Sequence, residues 1–69
     1  MDNEDKIAEG LSIKHNTYLL SKEQTAQEIG AISQTSLDRL RQLGLIKSRK
    51  VLGQIRFSVN EVARFIADA

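Results

Sequence analysis

Apolar and polar positions alternate with two different periods along this chain, and the change of period separates its elements. Ala26 and Ile29 stand three apart behind a polar start of Ser21, Lys22, Glu23 and Gln24, the spacing of one face of a short helix. Ser21 and Gln24 match a capping box, in which the hydroxyl accepts from the Gln24 amide and the Gln24 side chain reaches back. Gly30 supplies the stop, because glycine enters the left-handed region without a Cβ clash. A second helix is predicted from Ser33, a good N-cap residue, with Leu37 and Leu40 as its apolar stripe and Gly44 as its end. Ile32 and Leu37 are placed to form a hydrophobic staple across its start. From Gln54 the period becomes two: Ile55 and Phe57 alternate with Gln54 and Arg56, as in a half-buried strand. Residues 45–51 precede it as the other arm of a β-hairpin, and Gly53 permits the positive φ of a tight turn. A third helix is predicted from Ser58. Ser58 with Glu61 makes a second capping box, Phe57 with Val62 a second staple, and Val59, Val62, Ala63 and Ile66 recur at helical spacing beside Phe65. Residues 67–69 are expected to fray.

Ahead of these elements, residues 17–20 have β-type side chains and predict a short strand against the hairpin. The rest of residues 1–17 reads as a flexible acidic tail, with Ile7, Ala8 and Leu11 giving one weak amphipathic turn diluted by Gly10 and Ser12. The expected fold class is therefore mainly α with a small β-hairpin. Residues 18–69 form one domain in which two short helices joined by about three residues make a helix-turn-helix and the hairpin makes its wing. Neither short helix nor a lone hairpin is stable by itself. Ala26, Ile29, Ile32, Leu37, Leu40, Leu45, Val51, Ile55, Phe57, Val62, Phe65 and Ile66 are thus expected to share one core. A chain of 69 residues buries only ~60% of its unfolded surface, so truncating Leu45 or Phe57 to Ala is expected to cost ~2–5 kcal/mol.

The net charge of +1 is small, but it is unevenly spread. Residues 1–32 hold three lysines against six carboxylates, a net of −3. Residues 33–69 hold seven basic side chains against three acids, a net of +4. Six basic residues and no acid lie between Arg39 and Arg56, as expected of a surface that faces phosphates. The absence of cysteine excludes disulfides and thiolate metal sites. No apolar run reaches the ~20 residues of a membrane span, and the acidic N-terminus is unlike a signal peptide. A cytoplasmic protein is expected.

Catalytic chemistry has no candidate constellation. His15 is the only histidine and falls in the expected tail, without the partners of a metal site or a hydrolytic triad. The serines stand at helix starts and the glycines at stops and turns, so neither a cofactor nor a metal is expected. What remains is the polar flank of the second helix and the basic hairpin. With Leu37 and Leu40 turned to the core, Gln34, Thr35, Ser36, Asp38, Arg39 and Gln42 lie on the exposed sides. Gln34 suits adenine and Arg39 suits guanine or a phosphate, while Thr35 and Ser36 suit phosphate oxygens at a helix start. Asp38 repels phosphates unless it accepts from cytosine or pairs with Arg41 or Gln42. In the hairpin, Arg49, Lys50, Gln54 and Arg56 are candidates for the DNA backbone or an adjacent minor groove. The predicted DNA-binding set is Gln34, Thr35, Ser36, Arg39, Arg41, Gln42, Arg49, Lys50, Gln54 and Arg56.

Residues 19–26, Ile32 to Leu37, Arg39-Leu40, Gly44-Leu45, residues 53–58 and Glu61-Val62 together resemble the excisionase-type winged helix-turn-helix domains of phages and mobile elements. These domains are relatives of the DNA-binding head of the MerR superfamily. The resemblance covers about two thirds of the chain and rests on the order and spacing of the pieces. It implies that the second helix enters the major groove and the wing contacts a neighbouring groove. It further implies an excisionase that binds double-stranded DNA cooperatively, bends it and directs an integrase toward excision. A small transcription regulator, or a protein-binding adaptor reusing the fold, are the alternative readings. The chain departs from the family at Asp38, where members often carry an aromatic or basic residue. It stops after the third helix, so the dimerisation helix and effector domain of a MerR-type regulator are not expected.

Overall fold

The computed structural model describes residues 3–68. They form four helices and a three-stranded antiparallel sheet, in the order α1 (Asn3–His15), β1 (Leu19–Ser21), α2 (Lys22–Glu28), α3 (Gln34–Gln42), β2 (Arg49–Val51), β3 (Gln54–Ser58) and α4 (Val59–Asp68). The fold class is mainly α, as expected. Among the described residues no helix is long and apolar enough to cross a membrane.

α1 corrects the expectation of a loose tail. Glu4 and Asp5 occupy its first turn and Lys14 and His15 its last, the charge order that complements a helix dipole. Asn16 takes a left-handed φ of 53° and the Thr17 amide reaches back to the Ser12 carbonyl at 3.2 Å, the closing bond of a Schellman cap. Ala8 and Leu11 are buried, with Ile7 packed at the margin of the core, and α4 is the principal partner of α1. The stripe is too short to predict a stable helix alone; docking supplies what the local sequence lacks.

α2 begins as predicted. Ser21 Oγ accepts from the Gln24 amide at 3.1 Å, and Gln24 Oε1 accepts from the Ser21 amide at 3.0 Å. At α3, Ser33 Oγ accepts from the Ser36 amide at 3.1 Å. Gly44 ends this helix at φ 75°, with the Leu45 amide bonded to the Leu40 carbonyl and the Gly44 amide to the Arg41 carbonyl, both at 3.0 Å. That cap corrects the core register: the chain leaves the helix with Leu45 51% exposed and Ile46 1% exposed. The second box, at α4, forms by half. Ser58 Oγ caps the Glu61 amide at 3.1 Å, but the Glu61 carboxylate turns to the loop, where it accepts from the Lys47 amide at 2.9 Å and from Arg64.

β3 is the central strand, between β1 and β2. Leu20 pairs with Phe57, Ser21 with Arg56, Arg49 with Arg56, Lys50 with Ile55 and Val51 with Gln54. The strand expected at residues 17–20 thus exists as β1. Leu20, Phe57, Leu37, Ile46 and Val62 are the large apolar side chains at the centre of the core, joined by Ala8, Leu11, Ala26, Val59 and Ala63. Ile29, Ile32, Leu40, Ile55, Phe65 and Ile66 pack around them, whereas Val51 stays outside the cluster.

Candidate nucleic-acid interface

α3 presents its first turns to solvent because its apolar side is anchored. Leu37 is buried and Leu40 half-buried. By helical spacing this leaves Gln34, Thr35, Ser36, Arg39 and Gln42 on the remaining surface, and all of these are exposed. Ser36 Oγ accepts from Ser33 Oγ at 3.1 Å. No hydrogen bond or ion pair among the described residues holds the side chains of Gln34, Thr35 or Arg39.

Asp38 and Arg41 behave differently from the rest of that flank. Asp38 receives Lys22 Nζ of α2 at 3.0 Å and Arg41 Nη1 at 2.9 Å. Arg41 Nε also donates to Ser48 Oγ at 3.1 Å, just ahead of β2. The Lys22 ammonium, and then the Arg41 guanidinium, hold the Asp38 carboxyl below its ordinary range. The charge that would oppose a phosphate is therefore neutralised within the fold, by the Arg41 partner foreseen and by Lys22, which sequence reasoning left out. The pair spans sixteen positions of sequence, so no local pattern announces it. Lys22, Asp38, Arg41 and Gln42 line one shallow groove between the helices. Arg41 is thereby committed to joining α2, α3 and the hairpin.

The hairpin divides its four candidates between two faces. In an antiparallel ladder, directly opposed residues share a face. Arg49 and Arg56 face each other, with Ser21 completing the same row and Gln54 on the same side two residues along. Lys50 is opposed to Ile55 and so lies on the other face. Arg49, Lys50 and Gln54 are exposed, and Arg56 is half-buried. Like charges directly opposed are unfavourable; Arg56 Nη2 is partly satisfied by donating to Gln54 Oε1, and Arg49 has no partner among the described residues. Past the Arg49–Arg56 row the ribbon runs on without β1, to a two-residue turn at Leu52 (φ 52°) and Gly53 (φ 80°). Leu52 is 99% exposed.

A second electrostatic cluster fixes the segment that leads from α3 to the hairpin. Arg64 of α4 donates to Glu61 at 2.7 and 3.1 Å, to the Leu45 carbonyl at 2.9 Å and to Asp68 at 3.2 Å. Glu61 is held below the ordinary carboxylate range chiefly by Arg64, and then by the Lys47 amide. His15 is not in a tail: its Nε2 lies 2.7 Å from Glu28 Oε2, which Lys14 Nζ also meets at 2.7 Å. This cluster ties α1 to α2, away from α3 and the hairpin in sequence.

No family model and no solved structure matches the chain. It is similar to a protein of Pasteurella multocida described only as uncharacterized, with 47% identity over 49 residues that cover 71% of this chain and 72% of the relative. At that identity and coverage, the chain belongs to the same family as this Pasteurella protein.

Proposed function

We propose that the chain is a sequence-specific DNA-binding protein with a winged helix-turn-helix. In this reading α3 lies in the major groove and the β2–β3 ribbon grips the flanking backbone. The observation that carries the proposal is the state of α3: its apolar side is anchored by Leu37, while Gln34, Thr35 and Arg39 are exposed and unpartnered among the described residues. An α-helix fits the major groove, and its N-terminal residues reach base edges. Gln34 and Arg39 take the base edges, Thr35 and Ser36 the phosphates at the helix start, and Gln42 the backbone farther along. Arg49, Gln54 and Arg56 contact phosphates from one face of the ribbon and Lys50 from the other. Arg41 holds the two arms in register through Asp38 and Ser48.

Within that class we propose an excisionase, which bends DNA, occupies neighbouring sites cooperatively and works with an integrase. Support for this finer reading is the resemblance of residues 19–66 to such domains. An excision assay with the matching integrase tests it: the chain should be required for excision, and a transcriptional effect without any effect on excision would assign it to the small regulators instead. The DNA-binding reading itself is tested by duplex binding across a salt series. Phosphate contacts make log affinity fall steeply with log salt, whereas a protein-binding adaptor would not show that dependence.

A further inference from the structure

We propose that Leu52 is an apolar wedge, carried at the tip of the ribbon, that enters the minor groove and unstacks one base step. The inference rests on the DNA-binding reading and adds the residue that would deform the duplex.

Neither the backbone nor the core accounts for leucine at this position. Leu52 and Gly53 both have positive φ, 52° and 80°, which is the two-residue turn that favours Asn-Gly or Asp-Gly. A leucine Cβ is crowded in the left-handed region, where asparagine is tolerated. Burial offers no compensation, because the side chain is 99% exposed and lies outside the core. Its surroundings are cationic: the ribbon that carries it holds Arg49, Lys50 and Arg56, and residues 39–56 contain no acid. The two rows Lys50–Ile55 and Val51–Gln54 carry the tip beyond the edge of β1, so nothing in the paired sheet stands beside it.

An apolar side chain on a cationic arm matches a polyanion with an apolar interior, and stacked base pairs inside a phosphate backbone are such a target. The cations would rest on phosphates while the leucine enters between bases, the arrangement by which minor-groove proteins kink DNA. The minor groove is about 6 Å wide, which suits one leucine at a turn.

The test uses the full chain and a duplex enriched by the wild type from a randomised pool. A fluorescent base analogue, placed in turn at each base pair, reports unstacking. Leu52→Asn suits the turn and should unfold at the wild-type temperature or above it. Wild type should give an unstacking signal at one step, and Leu52→Asn should lose that signal and bind roughly 10-fold more weakly. An unstacking signal retained by Leu52→Asn overturns the wedge, as does a wild-type complex stacked throughout. Loss of self-association in Leu52→Asn, with no unstacking by wild type, would assign the leucine to contact between copies and likewise overturn it. If no duplex is enriched at all, the DNA-binding reading fails before the wedge is reached.

Discussion

At the scale of single residues, the cap at Gly44 decides which apolar side chain supports the core. Ile46→Ala is expected to cost ~2–5 kcal/mol by leaving a cavity, while the neighbouring Leu45→Ala should cost under ~1 kcal/mol because that side chain is half outside. Urea unfolding of the two variants checks the order, and equal losses would contradict the register. Leu45 reads as core from the sequence because it follows a helical stripe. Only the left-handed turn at Gly44, where the bonds to Leu40 and Arg41 close, shows that Ile46 points inward in its place. Thr25 gives a second case. Among the described residues its hydroxyl is buried without a hydrogen-bond partner, so Thr25→Val, which keeps the shape and removes the orphan group, should stabilise the fold by about 1 kcal/mol. The carboxylates give a third. Glu28, held down first by Lys14 and then by His15, Asp38 by Lys22 and Arg41, and Glu61 by Arg64 all titrate below their ordinary values of 4.5 and 3.8. A carboxylate with a depressed folded pKa contributes stability above its unfolded value and loses it as pH falls through the folded one. Stability should therefore hold from neutral pH to the ordinary carboxylate range and fall below it, and Glu28→Gln with Glu61→Gln should make that acid decline shallower. An unchanged decline in the double variant would contradict the two ion pairs.

At the scale of elements, the starts were legible and the first helix was not. Ser21 with Gln24, and Ser33 with its staple, are local signals whose partners lie within five residues, so sequence alone locates α2 and α3. The Glu61 half of the third box failed because a longer-range partner, the Lys47 amide with Arg64, competes for the same carboxylate. α1 was illegible because Ile7, Ala8 and Leu11 make only one weak amphipathic turn, and the helix depends on docking against α4. Deleting residues 1–16 should consequently lower the thermal midpoint by at least about 10 °C, followed by circular dichroism. A shift of only a degree or two would mean that these residues behave as the tail their composition suggests.

At the scale of the whole molecule, three clusters of charge among the described residues hold the helices and leave several cations outside them. Glu28 joins α1 to α2, Asp38 joins α2 to α3 and through Arg41 reaches the hairpin, and Glu61 with Arg64 fastens the intervening loop to α4. Arg39, Arg49 and Lys50 take no part in these clusters. The exposed flank of α3 was readable in advance because Leu37 and Leu40 fix its opposite side. The placement of Lys50 on the far face of the ribbon was not, since it depends on which residues of β2 and β3 oppose one another. The central proposal is that these cations and the exposed flank of α3 bind duplex DNA. Its most direct test is fluorescence anisotropy of a labelled duplex titrated with wild type, Arg39→Ala and Arg56→Ala at several salt concentrations, with folding of each variant checked by circular dichroism. Binding that weakens linearly in log salt, and that drops by roughly 5- to 150-fold when Arg39 loses a base contact, is the predicted result; folded variants that bind as tightly as wild type, or a wild type indifferent to salt, would contradict it.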